Sequence, residues 1–94
     1  MPNLLPDDDV RARLAAHPGW ERHGPEIRRT YAFEGFKAAM AFVNRVAELA
    51  DAIDHHPDIL VQYGKVTLTL TSHDSGGLTE RDFRLAALID RPQP

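Results

Sequence analysis

Residues 36–53 carry the pattern that most restricts what this 94-residue chain can become. Phe36, Ala39, Met40, Val43, Val46, Ala47, Ala50 and Ile53 recur at three- and four-residue intervals, while Lys37, Asn44, Arg45, Glu48 and Asp51 fall largely elsewhere. That spacing gathers the apolar side chains into one stripe of a long amphipathic helix, which must lie across another apolar surface. Pro57 disfavours the α conformation at His56, so the helix is expected to finish at about Asp54 or His55.

The flanking segments supply that surface. From Ile27 to Phe33 the residues alternate, with Ile27, Arg29, Tyr31 and Phe33 on one side. Gly24-Pro25 marks a turn, which makes this a strand paired with the short extended piece starting at Trp20. Ile59 to Tyr63 and Lys65 to Thr71 read as a second strand pair turning near Gly64. In the latter, Val66, Leu68 and Leu70 face one way, and Thr67, Thr69 and Thr71 form a wetted or interfacial face. At the start, Asp7 to Ala16 reads as a short helix with acidic residues to cap and suit its N-terminus, ended by His17-Pro18-Gly19. At the end, Thr79 as N-cap, Asp82 three residues on, and the pair Leu78 and Phe83 announce a last helix. Its apolar side gathers Phe83, Ala86, Ala87 and Asp90, broadened by Leu85, Leu88 and Ile89, with Pro92 just beyond its end. The order α-β-β-α-β-β-α predicts an α+β domain over residues 1–94. It has two layers, a four-stranded antiparallel sheet with three helices on one face.

Bulk composition narrows the function classes. A chain of this length buries roughly two-thirds of its unfolded surface, enough for one modest core. Net charge is −3 and no run of basic residues exceeds Arg28-Arg29, which argues against nucleic-acid binding by phosphate neutralisation. No apolar run approaches the ~20 residues of a membrane span, and the first residues lack the blocks of a signal peptide. Zero cysteines exclude disulfides and thiolate metal sites. A cytoplasmic protein without direct nucleic-acid or membrane partners is the expectation.

Chemistry concentrates around Asp51-Ala-Ile-Asp54-His55-His56-Pro57 and His73-Asp74. Histidine titrates nearest neutrality, so such a cluster points to proton transfer or to metal ligation. Metal ligands on a helix sit at i and i+4, whereas His55 and His56 are adjacent in a segment that Pro57 makes extended, where neighbouring side chains diverge. Acid–base chemistry fits better. His55 at a helix end and His73 after a strand come from separate segments and can flank a flat substrate, one donating a proton and one accepting. Nearby carboxylates would orient the rings, and no nucleophile-elbow sequence surrounds Ser72 or Ser75. Asp82 is accounted for by its capping position, yet its carboxylate could also touch the site. Tyr63 either packs at the hairpin end or joins the site. Trp20 is core or rim, and a partly exposed indole could stack on an aromatic ligand. His17 and His23 read as surface residues.

The string Asp51-x3-His55-His56-Pro57-x5-Tyr63-x9-His73-x8-Asp82 resembles the signature of the pterin-4a-carbinolamine dehydratases, some of which are also dimerisation cofactors of a homeodomain transcription factor. The likeness extends to Gly19-Trp20, Phe33-x-x-Phe36, Val61-x-Tyr63-x-Lys65-Val66 and Thr71-x-His73-Asp74-x-x-Gly77-Leu78-Thr79-x-Arg81-Asp82. It implies an α-β-β-α-β-β-α fold and dimers, often paired into tetramers, through helices and sheet edges. The implied activity is dehydration of 4a-hydroxytetrahydrobiopterin to the quinonoid dihydropterin, with no metal or bound cofactor, in support of an aromatic amino-acid hydroxylase. The family's catalytic histidines fall on His55, His56 and His73. Asp51 and Asp54 fall where carboxylates line the pterin pocket, Thr71 and Ser72 where a strand end meets the pterin, and Asp82 is the last motif residue. The first motif acid is often Glu in animal members and is the shorter Asp51 here. The reaction itself then assigns His55 and His73 to acid and base roles and His56 to holding the pterin. The alternative is a non-catalytic dimerisation, assembly or transcriptional cofactor of the same fold, against which the three histidines argue.

Overall fold

The computed structural model describes residues 3–91. Its elements are α1 (Asp7–Ala15), β1 (Glu21–His23), β2 (Glu26–Ala32), α2 (Phe36–Ile53), β3 (Asp58–Gln62), β4 (Lys65–Leu70) and α3 (Glu80–Asp90). The expected order of helices and strands is therefore found. The strands form one antiparallel sheet in the order β1-β2-β4-β3, with β1 and β3 at its edges. Among the described residues no helix is long and apolar enough to cross a membrane. Pro92, expected just past the last helix, lies outside the described residues.

Alternation decides which side of the sheet the helices cover. In the central pair, Ile27 lies opposite Leu70 and Tyr31 opposite Val66. Ile27, Val66, Leu68 and Leu70 are fully buried beneath Val10 of α1, Ala39, Val46 and Ala50 of α2, and Phe83, Leu85, Ala86 and Ile89 of α3. Full burial of each such aliphatic side chain is worth about 1.5–3 kcal/mol. The other face is polar, and Thr30 and Thr67 are hydrogen-bonded across the strands at 2.9 Å.

Some details depart from the sequence pattern. The α2 stripe is rotated: Phe36 and Ala47 are exposed, while Phe42 and Leu49 pack against the core. Phe42 meets Tyr31 at 4.6 Å and Phe33 at 5.1 Å between ring centroids, so a long side chain from the flank of the helix fills the space. Ala87 is likewise exposed on α3. At α1 the N-cap is Pro6 and no side chain caps it, so Asp7, Asp8 and Asp9 suit the helix end through its dipole, and Asp7 and Asp8 also pair with Arg22 and Arg11. Tyr63 lies in the two-residue turn between β3 and β4 with a positive φ of 54°. Gly64 beside it is obligatory for another reason. A Cβ there would stand 2.7 Å from the Phe33 carbonyl oxygen, where the backbones exchange the Phe33 N–H to Gly64 O bond at 2.7 Å.

Away from the histidines, Asp90 ties the sheet to α3. Its Oδ2 accepts from Trp20 Nε1 at 2.7 Å and from Arg29 Nη1 at 3.2 Å, and its Oδ1 accepts from the Tyr31 hydroxyl at 2.5 Å. The Arg29 guanidinium also sits 4.6 Å from the Tyr31 ring centroid. An arginine on the apolar side of β2 is thus satisfied by a carboxylate on the apolar side of α3. Burial, and then the bond to Asp90, pushes the Tyr31 hydroxyl far above the usual phenol range.

Candidate active site

The site grows from the way α2 stops. Asp54 adopts the left-handed conformation (φ 52°), an uncommon state that aspartate tolerates better than most residues. The His55 N–H then reaches back to the Ala50 carbonyl at 3.0 Å and the Asp54 N–H to that of Asp51 at 3.3 Å. This pair of bonds is the Schellman arrangement, which normally places glycine at the left-handed position. It turns the chain sharply, and the consequence for the two histidines is opposite. His55 points inward and is 7% exposed, with Nε2 at 2.6 Å from Asp82 Oδ1. His56 stays at the surface, with Nε2 at 2.8 Å from Asp51 Oδ1 on the last turn of α2. The divergence expected from Pro57 is real, and each ring finds its own carboxylate.

Asp82 does two things with two oxygens. It occupies the third position of α3, where Oδ2 accepts from the Thr79 backbone N–H at 2.9 Å and completes the capping box with the Thr79 side chain. The same Oδ2 accepts from Ser72 Oγ at 2.9 Å, while Oδ1 faces His55. Ser72 Oγ lies 2.7 Å from Thr79 Oγ1. Asp82 and Ser72 are both 0% exposed, so His55, Asp82, Ser72 and Thr79 form one buried polar network between the end of α2, the end of β4 and the start of α3. Asp82 caps the helix and meets a histidine at once. Among the described residues no side-chain nitrogen or oxygen is both sealed from solvent and without a hydrogen-bond partner.

His73 follows directly on Ser72, at the exposed start of a tight loop. The Ser72 carbonyl accepts from the Ser75 and Gly76 N–H groups at 3.0 and 2.9 Å, and Ser72 bridges to Gly77. The loop is also pinned to α3, because Asp74 accepts from Arg81 Nη2 at 2.7 Å. That bond holds the Asp74 carboxyl below its usual range. His73 is thereby carried on a short arm anchored in the network that holds His55.

The remaining residues singled out from the sequence divide. Asp51 pairs with His56, and exposed Asp54 shapes the helix end. Thr71 donates its hydroxyl to the Pro25 carbonyl at 2.6 Å, which ties it to the β1–β2 turn. Trp20 is not brought to the histidines. It is 5% exposed and bonded to Asp90 at the far end of α3, eight helical positions and so about 12 Å from Asp82. Thr79 was legible as a cap but not as a member of the histidine network. Among the described residues no group of three or more His, Asp or Glu side chains is arranged to hold a metal ion. A buried carboxylate–imidazole pair, a second such pair at the surface and a third imidazole on a pinned loop can orient rings and move protons.

Residues 3–92 match the family model described as pterin 4 alpha carbinolamine dehydratase. A protein of Thermomicrobium roseum bearing the provisional name pterin-4-alpha-carbinolamine dehydratase is 55% identical over 82 residues, covering 87% of this chain and 88% of that protein. One of Koribacter versatilis with the same provisional name is 46% identical over the full length of both. Among solved structures, a transcriptional coactivator/pterin dehydratase from Brucella melitensis superposes with a TM-score of 0.90 at 31% identity, covering 94% of this chain and 96% of that one. A pterin dehydratase-like RuBisCO assembly factor of the alpha-carboxysome superposes with a TM-score of 0.66 at 26% identity, covering 79% and 88%.

Proposed function

Because the chain belongs to the pterin 4 alpha carbinolamine dehydratase family, we propose that it removes water from a 4a-hydroxytetrahydropterin to give the quinonoid dihydropterin. In this reading it serves tetrahydropterin recycling beside an aromatic amino-acid hydroxylase in the cytoplasm, as a homodimer or homotetramer. The observation that carries the reading is the buried His55–Asp82 pair beside surface His56 and His73. Loss of water needs a proton delivered to the oxygen on C4a, whose bond to carbon then breaks. The proton on N5 passes to a base as the C4a–N5 double bond forms. His55 and His73 take the acid and base roles, and His56 with Asp51 holds the pterin. Asp82 orients His55 and offsets charge on its ring. No step calls on a metal or bound cofactor.

The test is to follow decay of 4a-hydroxytetrahydrobiopterin in the ultraviolet with purified protein, with and without EDTA. The expected result is acceleration over the spontaneous reaction, insensitive to chelator. His73→Ala should lower the rate by about 10²–10⁴-fold. Because His73 is exposed, its circular dichroism and melting curve should match the parent. No acceleration by the parent protein would favour a second reading, that of a non-catalytic assembly module. The exposed apolar groups Phe36, Leu60 and Tyr63 supply the observation for that reading, and the similar RuBisCO assembly factor supplies its precedent.

A further inference from the structure

We propose that Ser72 is a positioning residue which, with Thr79, fixes the tautomer of His55 through Asp82, so that Nδ1 is the nitrogen that faces substrate. The catalytic half of this statement rests on the dehydratase reading; the tautomer half stands on geometry alone. Each hydroxyl has one hydrogen to give. Ser72 Oγ gives its hydrogen to Asp82 Oδ2, so the 2.7 Å contact with Thr79 Oγ1 is filled by the Thr79 hydrogen. Thr79 Oγ1 in turn accepts from the Arg81 N–H at 3.2 Å. The chain of donors therefore runs from Arg81 N–H through Thr79 and Ser72 to Asp82. Two hydrogens point at Asp82 Oδ2, from Ser72 and from the Thr79 N–H, and the ionised carboxylate has no hydrogen of its own to give, so His55 Nε2 is the donor at Oδ1.

The other ring nitrogen follows by elimination. In a neutral ring with hydrogen on Nε2, Nδ1 carries the lone pair. The ring's hydrogen bond is at Nε2, and no sealed side-chain nitrogen among the described residues lacks a partner. Nδ1 is thus the open edge of a ring that is otherwise 7% exposed. Ser72, although next to His73, reaches the chemistry from behind: its hydroxyl is fully buried and committed to Asp82 rather than offered to a ligand. Without it, Asp82 Oδ2 keeps only the Thr79 N–H, the Thr79 hydroxyl loses its acceptor, and the carboxylate is held in its plane less firmly against the His55 ring.

The experiment is two-bond ¹H–¹⁵N correlation of the imidazoles in the full chain, at a pH where the His55 ring is neutral. The His55 signals are identified by their loss in His55→Gln. The wild-type protein should give the pattern of the Nε2–H tautomer. Ser72→Ala should mix in the Nδ1–H tautomer and lower kcat about tenfold, the size of one hydrogen bond, with KM little changed. Ser72→Thr, which retains a hydroxyl, should return the wild-type pattern. An Nδ1–H pattern in the wild type overturns the proposal without recourse to any variant, as does an unchanged His55 pattern in Ser72→Ala. If the tautomers behave as expected but the wild type does not accelerate pterin dehydration, the positioning of His55 stands and the dehydratase reading falls.

Discussion

At Asp90 three donors converge on one carboxylate, and the tyrosine among them is the one whose contribution depends on alkaline pH. Tyr31 donates to Oδ1 from a half-buried position, and desolvation followed by the Asp90 bond raises its pKa. Tyr31→Phe removes that bond and should cost about 1 kcal/mol near neutral pH. In the unfolded chain a tyrosine loses its proton near pH 10, before the folded one does. Above that pH the unfolded state binds fewer protons, so stability falls as pH rises. The tyrosine's contribution is complete below about pH 10 and shrinks above it. Urea midpoints measured from pH 8 to 11 should therefore fall more steeply for the parent than for Tyr31→Phe. Parallel curves would show that the hydroxyl is not perturbed. The partnership of Arg29 with Asp90 had a signal in the sequence, since a charge on the apolar side of a strand demands a counter-charge on the element packed over it. The contact of His55 with Asp82 had none of that kind, because Asp82 already had a use as a cap.

Among the elements, α2 was the most legible, both its ends included, and the backbone conformation that stops it the least. The stripe through Ala39, Val46 and Ala50 fixed its existence, and Pro57 fixed roughly where it must stop. Periodicity does not encode a left-handed residue, so nothing in the pattern assigned that role to Asp54, which family resemblance had placed at the pterin pocket. The rotated stripe has a similar origin: long side chains such as Phe42 and Leu49 reach the core from the flank, while Ala47 in phase with the pattern does not. Asp54→Gly offers a clean separation of the two roles. Glycine adopts this φ without the penalty paid by a side chain, a gain of about 0.5 kcal/mol after its larger unfolded-state entropy. Thermal melting should shift upward by about 2–4 °C. A fall in dehydration rate alongside that gain marks Asp54 as a pocket residue, whereas a lowered melting temperature would contradict the helix-end account.

For the molecule as a whole, the sheet order leaves β3 at an edge, with Leu60 53% exposed on the polar side and Tyr63 74% exposed at the adjoining turn. Exposed apolar groups on an unpaired edge invite another strand, and two copies of this chain can offer each other the same edge. A charge is the usual way to blunt such an edge. If copies pair through this edge, Leu60→Lys should lower the mass measured by light scattering, with far-ultraviolet dichroism unchanged; an unaltered mass would rule the edge out as a contact between copies. The strand order also sets a timetable. β1 with β2, and β3 with β4, are neighbours along the chain and can zip up as hairpins within microseconds. The central ladder, Ile27 to Ala32 against Lys65 to Leu70, has to close across the whole of α2. That closure is the slow step, because its entropy is lost before its contacts are gained. His55 and Ser72 stand just before and just after the β3–β4 hairpin, so the early local pairing already brings the chemistry together, and the slow closure seals a core beneath a site whose parts have met.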